Sequence, residues 1–203
     1  MLAFIEQGGI VMYILVAASL LAMSIIFERA WSLRRAYVLP EKGITLIESA
    51  VSHGDVETAV HLCQHQQTTM ARILLVALKN RGLRRAELKE VIEEVGRQEI
   101  AHLERYIGTL GLIAAIAPLL GLLGTVVGMI DVFQVIANEG LGKADMLAGG
   151  ISKALNTTAA GLTVAIPALV AYRMFESRIN RFVIEIEHHA IQFVEMLKGN
   201  HDS

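Results

Sequence analysis

Three long stretches of this chain contain no Asp, Glu, Lys or Arg: Gln7–Phe27 (21 residues), Tyr106–Ile130 (25 residues) and Ala154–Tyr172 (19 residues). The hydrocarbon core of a bilayer, about 30 Å thick, is crossed by about 20 apolar residues rising 1.5 Å each. A soluble amphipathic helix returns to polar side chains every turn or two, so charge-free stretches of this length read as membrane spans. The 203 residues are 54% hydrophobic and 19% charged, and every one of the 18 Lys/Arg and 20 Asp/Glu lies outside the three stretches. This pattern excludes a disordered chain, and a net charge of -2 argues against a nucleic-acid binder. A single cysteine, Cys63, rules out a disulfide framework.

Only Glu6 precedes the first stretch as a charge, and its basic residues, Arg29, Arg34 and Arg35, follow it. That is a permanent span rather than a signal peptide, which needs a basic leading region. Basic side chains accumulate on the cytoplasmic side of membranes. Segment 28–105 carries 12 Lys/Arg and 173–203 carries four, whereas 131–153 carries only Lys143 and Lys153. The expected topology is an external N-terminus, a large cytoplasmic region, a short external loop and a cytoplasmic C-terminus. The expected organisation is an all-α integral membrane protein: first span 1–30, cytoplasmic helical region 31–105, second span 106–138, short loop 139–145, third span 146–174, and C-terminal helix 175–203.

The cytoplasmic region reads as short helices, with Asp55 as an N-cap and Thr68-Thr69 opening the next element. No breaker occurs between Arg84 and Pro118, so the second span is expected to continue a cytoplasmic helix from about Arg84 to Asn138. The third span is expected to extend likewise, with Ile179, Phe182/Val183, Ile186, Ile191, Val194 and Leu197 facing partner subunits. No phosphate loop, nucleophile–base set, metal site or cofactor motif stands out. His61 and His65 flank Cys63, but on a helix the thiol points away from them, and structural metal sites need about four ligands. His188-His189 reads as a solvated helix face.

Within the second span, Ala117, Gly121, Gly124 and Gly128 recur at helical spacing, and in the third Ala154, Gly161, Ala165 and Ala168 do the same. Small-residue stripes let helix backbones approach in lipid. Pro118 and Pro167 lie inside the spans and permit kinks. Thr125, Thr157 and Thr158 sit near mid-span on these stripes. Each hydroxyl can bond a carbonyl one turn back, or together they can line a polar ion path.

These residues carry a resemblance. Ala117-Pro-Leu-Leu-Gly-Leu-Leu-Gly-Thr-Val-Val-Gly-Met-Ile130, followed by Gly150-Ile-Ser-Lys-Ala-Leu-Asn-Thr-Thr-Ala-Ala-Gly-Leu-Thr-Val-Ala-Ile-Pro-Ala168, closely resembles the ExbB/TolQ/MotA family, ExbB-like members most of all. The resemblance implies a ring, typically a pentamer, in the inner membrane of Gram-negative bacteria. The ring would surround an ExbD-like single-span partner whose aspartate binds the translocated cation. Its work would pass to a TonB-like protein for outer-membrane import. It places Thr125 and Thr158 on pore-facing threonines, and Thr157 where some proton-type members have alanine, so that an extra hydroxyl bears on sodium coordination. Lys153 stands where many ExbB-like members have glutamate.

A lysine within a span is costly without a partner or a route to water. If Thr125 and Thr158 share a depth on antiparallel spans, Asp131 lies about 9 Å beyond the first and Lys153 about 7.5 Å beyond the second. They can form a charge pair near the outer end of the pore, or reach the interface separately. Competing functions are a TolQ-like subunit serving envelope integrity and a structural scaffold that conducts nothing, with membrane lipid as a further contact. An intramembrane enzyme lacks nucleophile, base and metal ligands in these spans.

Overall fold

The computed structural model describes residues 9–140 and 144–199. They are helical, with no strand among the described residues. The elements are α1 (Gly9–Ser32), α2 (Arg35–Val38), α3 (Glu41–Ser52), α4 (Val56–His65), α5 (Thr69–Lys79), α6 (Arg85–Glu104), α7 (Ile107–Glu139) and α8 (Ala144–Gly199). Three helical stretches are long and apolar enough to cross a membrane: Gly9–Ser32, Arg85–Asn138 and Asp145–Gly199. The expected loop 139–145 falls partly on residues 141–143, outside the described residues, and the ends of the first and last expected segments do so too. Helices α7 and α8 run without interruption through Pro118 and Pro167.

The chain divides into two compact units. One comprises residues up to Glu28 with Tyr106–Met174; the other comprises Arg29–Arg105 with residues from Phe175 onward. In the first, Leu15 of α1, Ala117 of α7 and Ala165 of α8 form a buried cluster, with Val11, Leu120, Ala160 and Val164 packed against it.

The second unit is built as a protein is built in water. Asp55 caps α4 by accepting from the Thr58 amide at 3.0 Å, and Thr68 caps α5 by accepting from Ala71 at 3.3 Å. Gly54, at φ +78, makes the turn into α4. Leu74, Leu78, Leu88, Ile179 and Phe193 are almost completely buried. Arg72 grips Glu99 through two hydrogen bonds of 2.8 and 2.7 Å, joining α5 to α6.

Two expectations are corrected here. The helix expected from Arg84 to Asn138 is interrupted at Arg105–Tyr106, where Tyr106 takes a left-handed conformation (φ 64). In an unbroken helix the His102 and Leu103 carbonyls would accept from the amides four residues on. Here the buried Arg29 guanidinium donates to both, at 3.4 and 3.3 Å, satisfying the exposed end of α6. Second, the C-terminal stripe does not await partner subunits. Ile179, Phe182, Ile186, Val194 and Leu197 are buried inside this unit, joined by Ala190 and Phe193, whereas Ile191 is exposed. The other helices of the unit already cover that face.

Candidate functional site

The seam between α7 and α8 brings the small-residue stripes together. A Cβ added to Gly161 would stand 2.6 Å from the Ala117 carbonyl oxygen and 3.0 Å from the Gly121 Cα. One on Gly121 would meet the Thr157 carbonyl and the Thr158 Cα at 3.0 Å, and one on Gly128 would meet the Ala154 Cβ at 2.9 Å. Gly124 faces Thr157, and Gly150 faces Val132. The order of these contacts runs in opposite directions along the two helices, so the pair is antiparallel and its backbones nearly touch. In lipid, where burial of large apolar groups gains nothing over lipid contact, such proximity is the means of association.

The three threonines take different places. Thr157 is 1% exposed; its hydroxyl donates to the Ala154 carbonyl at 2.6 Å and its side chain fills the space left by Gly124. Within the subunit the seam encloses Thr157. Thr158 is half-buried and donates across the seam to the Gly121 carbonyl at 3.0 Å. Thr125, also half-buried, donates to the Leu122 carbonyl at 2.6 Å. With both protons committed to carbonyls, these two oxygens keep acceptor lone pairs, the form that coordinates a cation or accepts a hydrogen bond.

The helical repeat assigns edges. Thr125 and Thr158 each follow a seam residue, Gly124 and Thr157, by one step of about 100°. Lys153 precedes Ala154 by one step, and Asp131 precedes Val132 by one. On antiparallel right-handed helices facing each other, a step forward leads to one side of the pair on both, and a step back to the other. Thr125 and Thr158 therefore share one edge, while Asp131 and Lys153 share the opposite one. Leu120, Ala160 and Val164, which pack against the cluster of Leu15, Ala117 and Ala165, also precede seam residues by one step. Helix α1 lies on the charged edge, and the hydroxyl edge faces away from it. Sequence reasoning had no access to this division, although the offset of each residue from its stripe is its visible signal.

The Lys153 ammonium lies 3.7 Å from the Asp131 carboxylate, with the side chains 38% and 53% exposed. Both residues stand immediately beyond the charge-free stretches, where water is near.

The remaining candidates offer no reactive centre. Burial pushes the Cys63 thiol up to about 11, so it stays protonated and inert at neutral pH. His61 and His65 are exposed with ring centroids 6.2 Å apart, and no group of three or more metal-capable side chains occurs among the described residues. His189 departs from the expected solvated face: its Nδ1 is buried and lies 3.5 Å from Glu48 of α3, while His188 is exposed.

A sequence profile of the MotA/TolQ/ExbB proton channel family matches residues 65–188, more than half the chain and including the whole seam. The chain belongs to the MotA/TolQ/ExbB family. A protein of Synechocystis sp. described as putative biopolymer transport protein ExbB-like 1 is 36% identical over 176 residues, covering 84% of this chain and 68% of the relative. A second from the same organism, ExbB-like 3, is 30% identical over 197 residues, covering 96% and 94%. The Tol-Pal system protein TolQ of Haemophilus influenzae is 39% identical over 83 residues, covering 41% and 36%. Members of the MotA/TolQ/ExbB family are membrane-embedded, and the three apolar helices agree with that.

Proposed function

We propose that this chain is the ion-path subunit of an inner-membrane motor that uses a proton or sodium gradient to energise a TonB-like protein. The observation that carries this reading is the half-buried hydroxyl edge of the α7–α8 pair, Thr125 with Thr158, turned away from α1. In a ring of such subunits, a pentamer on the family's pattern, that edge lines a lumen occupied by the single transmembrane helix of an ExbD-like partner. The partner's intramembrane carboxylate carries the cation, and the two threonine oxygens offer it acceptors along the way. The N-terminus is external and the C-terminus cytoplasmic, in agreement with the Lys/Arg distribution. An ExbB-like role is favoured over a TolQ-like one because ExbB-like relatives match most of the chain, whereas the TolQ match covers 41% of it.

The test is gradient-driven uptake in cells carrying the chain with its partners. Thr125→Val and Thr158→Val keep the shape of each side chain and remove its hydroxyl; each is expected to lower uptake at least tenfold at unchanged protein level. Thr157→Val, inside the seam, is expected to leave uptake within about twofold. Full activity in the Thr125/Thr158 double variant would remove the ion-path reading. Collapsing the sodium gradient alone identifies the ion.

A further inference from the structure

Just past the first charge-free stretch, the second unit holds a cavity of about 390 Å³ that no part of the ion path uses. Its walls include Trp31, Tyr37, Gln67, Arg72 and His102. Trp31 is the chain's only tryptophan. It stands four residues, about 6 Å, beyond Phe27, the last residue of that stretch. It is 58% exposed and Tyr37 is 52% exposed. Amphipathic rings at that position along a spanning helix sit at headgroup depth. The Arg34 guanidinium stands 4.1 Å over the Trp31 ring, with no carboxylate bonded to it among the described residues. Arg72, by contrast, is neutralised by its paired bonds to Glu99. Beside the wall stands an available cation held on the Trp31 ring, and the wall itself offers a near-neutral polar lining and a volume suited to a small polar group.

We propose that this cavity is a headgroup site for an anionic phospholipid of the adjoining leaflet. The phosphate meets Arg34, and the head beyond it enters the space bounded by Trp31, Tyr37, Gln67 and His102. The inference does not depend on the ion-path reading, because it uses none of the same residues.

Trp31 is also the reporter. The full-length chain is placed in phosphatidylcholine vesicles containing one tenth brominated phosphatidylglycerol, or one tenth brominated phosphatidylcholine, at fixed ionic strength. Selective occupancy is expected to quench Trp31 fluorescence about fivefold more with the anionic quencher, the scale of one basic residue at an anionic surface. Arg34→Gln is expected to abolish the excess, and Arg34→Lys, which keeps the charge but loses the planar stack, to retain part of it. Equal quenching by the two lipids, or an excess that persists in Arg34→Gln, overturns the proposal. Inorganic phosphate at tens of millimolar is expected to leave the excess intact; its loss would assign the site to free phosphate instead of lipid. Unchanged far-ultraviolet circular dichroism of the variants separates loss of the site from loss of the fold.

Discussion

The two units of this protein are held together in opposite ways. In the second unit the contacts are large: Leu74, Leu78, Leu88, Ile179 and Phe193 lie fully inside. In the membrane unit many large residues of α7 and α8 point outward, with Leu122 57% exposed and Ile166 61% exposed, while glycine, alanine and Thr157 fill the seam between those two helices. The difference follows from the solvent. Water drives apolar side chains together at about 25 cal/mol per Å²; lipid supplies no such force, so association rests on close backbone approach and short hydrogen bonds. The same residue type therefore carries different weight in the two units, and that is open to experiment.

The largest effect is expected at Gly161. Any side chain there drives a Cβ to within 2.6 Å of the Ala117 backbone oxygen, which cannot turn aside as a flexible side chain can. Gly161→Leu is expected to leave no folded, detergent-extractable protein, and Gly161→Ala to leave a reduced amount that melts earlier. Normal yield and melting of Gly161→Leu would mean that the seam is not what holds α7 to α8.

Next comes a matched pair of leucines. Leu88→Ala in the second unit is expected to cost about 2–5 kcal/mol, as core truncations do. Leu122→Ala, on the outward face of α7, is expected to change stability by less than about 0.5 kcal/mol. Denaturant titration of both variants in the same detergent measures the contrast. Equal losses would show that the outward face of α7 is packed against protein.

How much of this was legible in the sequence depended on the solvent in the same way. Spans and seam were readable because lipid punishes charge and rewards a strict small-residue stripe: Gly121, Gly124 and Gly128 could be read as one face before any coordinates. The C-terminal stripe shows its period in the sequence but not its cover, and nothing in the residue types marks the buried Ala190 as core ahead of the exposed Ile191. The break at Tyr106 left no local trace; tyrosine is an ordinary helix residue, and the cause lies 77 positions away in the Arg29 bonds to His102 and Leu103. With Thr125 assumed level with Thr158, depth arithmetic could bring Asp131 level with Lys153. It could not separate the two edges, because α1 is apolar on all sides and its position leaves no pattern in α7 or α8.

A smaller effect is expected at the charged edge. Asp131 and Lys153 stand 3.7 Å apart with both side chains substantially exposed within the subunit. A double-mutant cycle with Asp131→Asn and Lys153→Gln is expected to give a coupling of about 0.2–1 kcal/mol in stability, the range of exposed pairs. Because the pair lies on the α1 edge, reversing it with Asp131→Lys and Lys153→Asp together is expected to keep gradient-driven uptake within about threefold of the parent. A loss as deep as that of Thr158→Val would move the pair onto the ion path and undo the assignment of edges.

The smallest effect has the opposite sign. Gly96 lies inside α6 in the second unit, and a Cβ added there meets no atom within 4 Å. A glycine in that setting costs helix stability without permitting any close approach. Gly96→Ala is therefore expected to stabilise the chain by about 0.5–1 kcal/mol, read as a shift of the denaturation midpoint. In Gly161 and Gly96 the same residue type thus serves two unrelated purposes, and alanine tells them apart: it should damage the seam and improve α6. If Gly96→Ala instead weakens the assembled complex while stabilising the isolated chain, a neighbouring subunit approaches α6 at that point. The rule that backbones meet through glycine only on the lipid side would then fail for this protein.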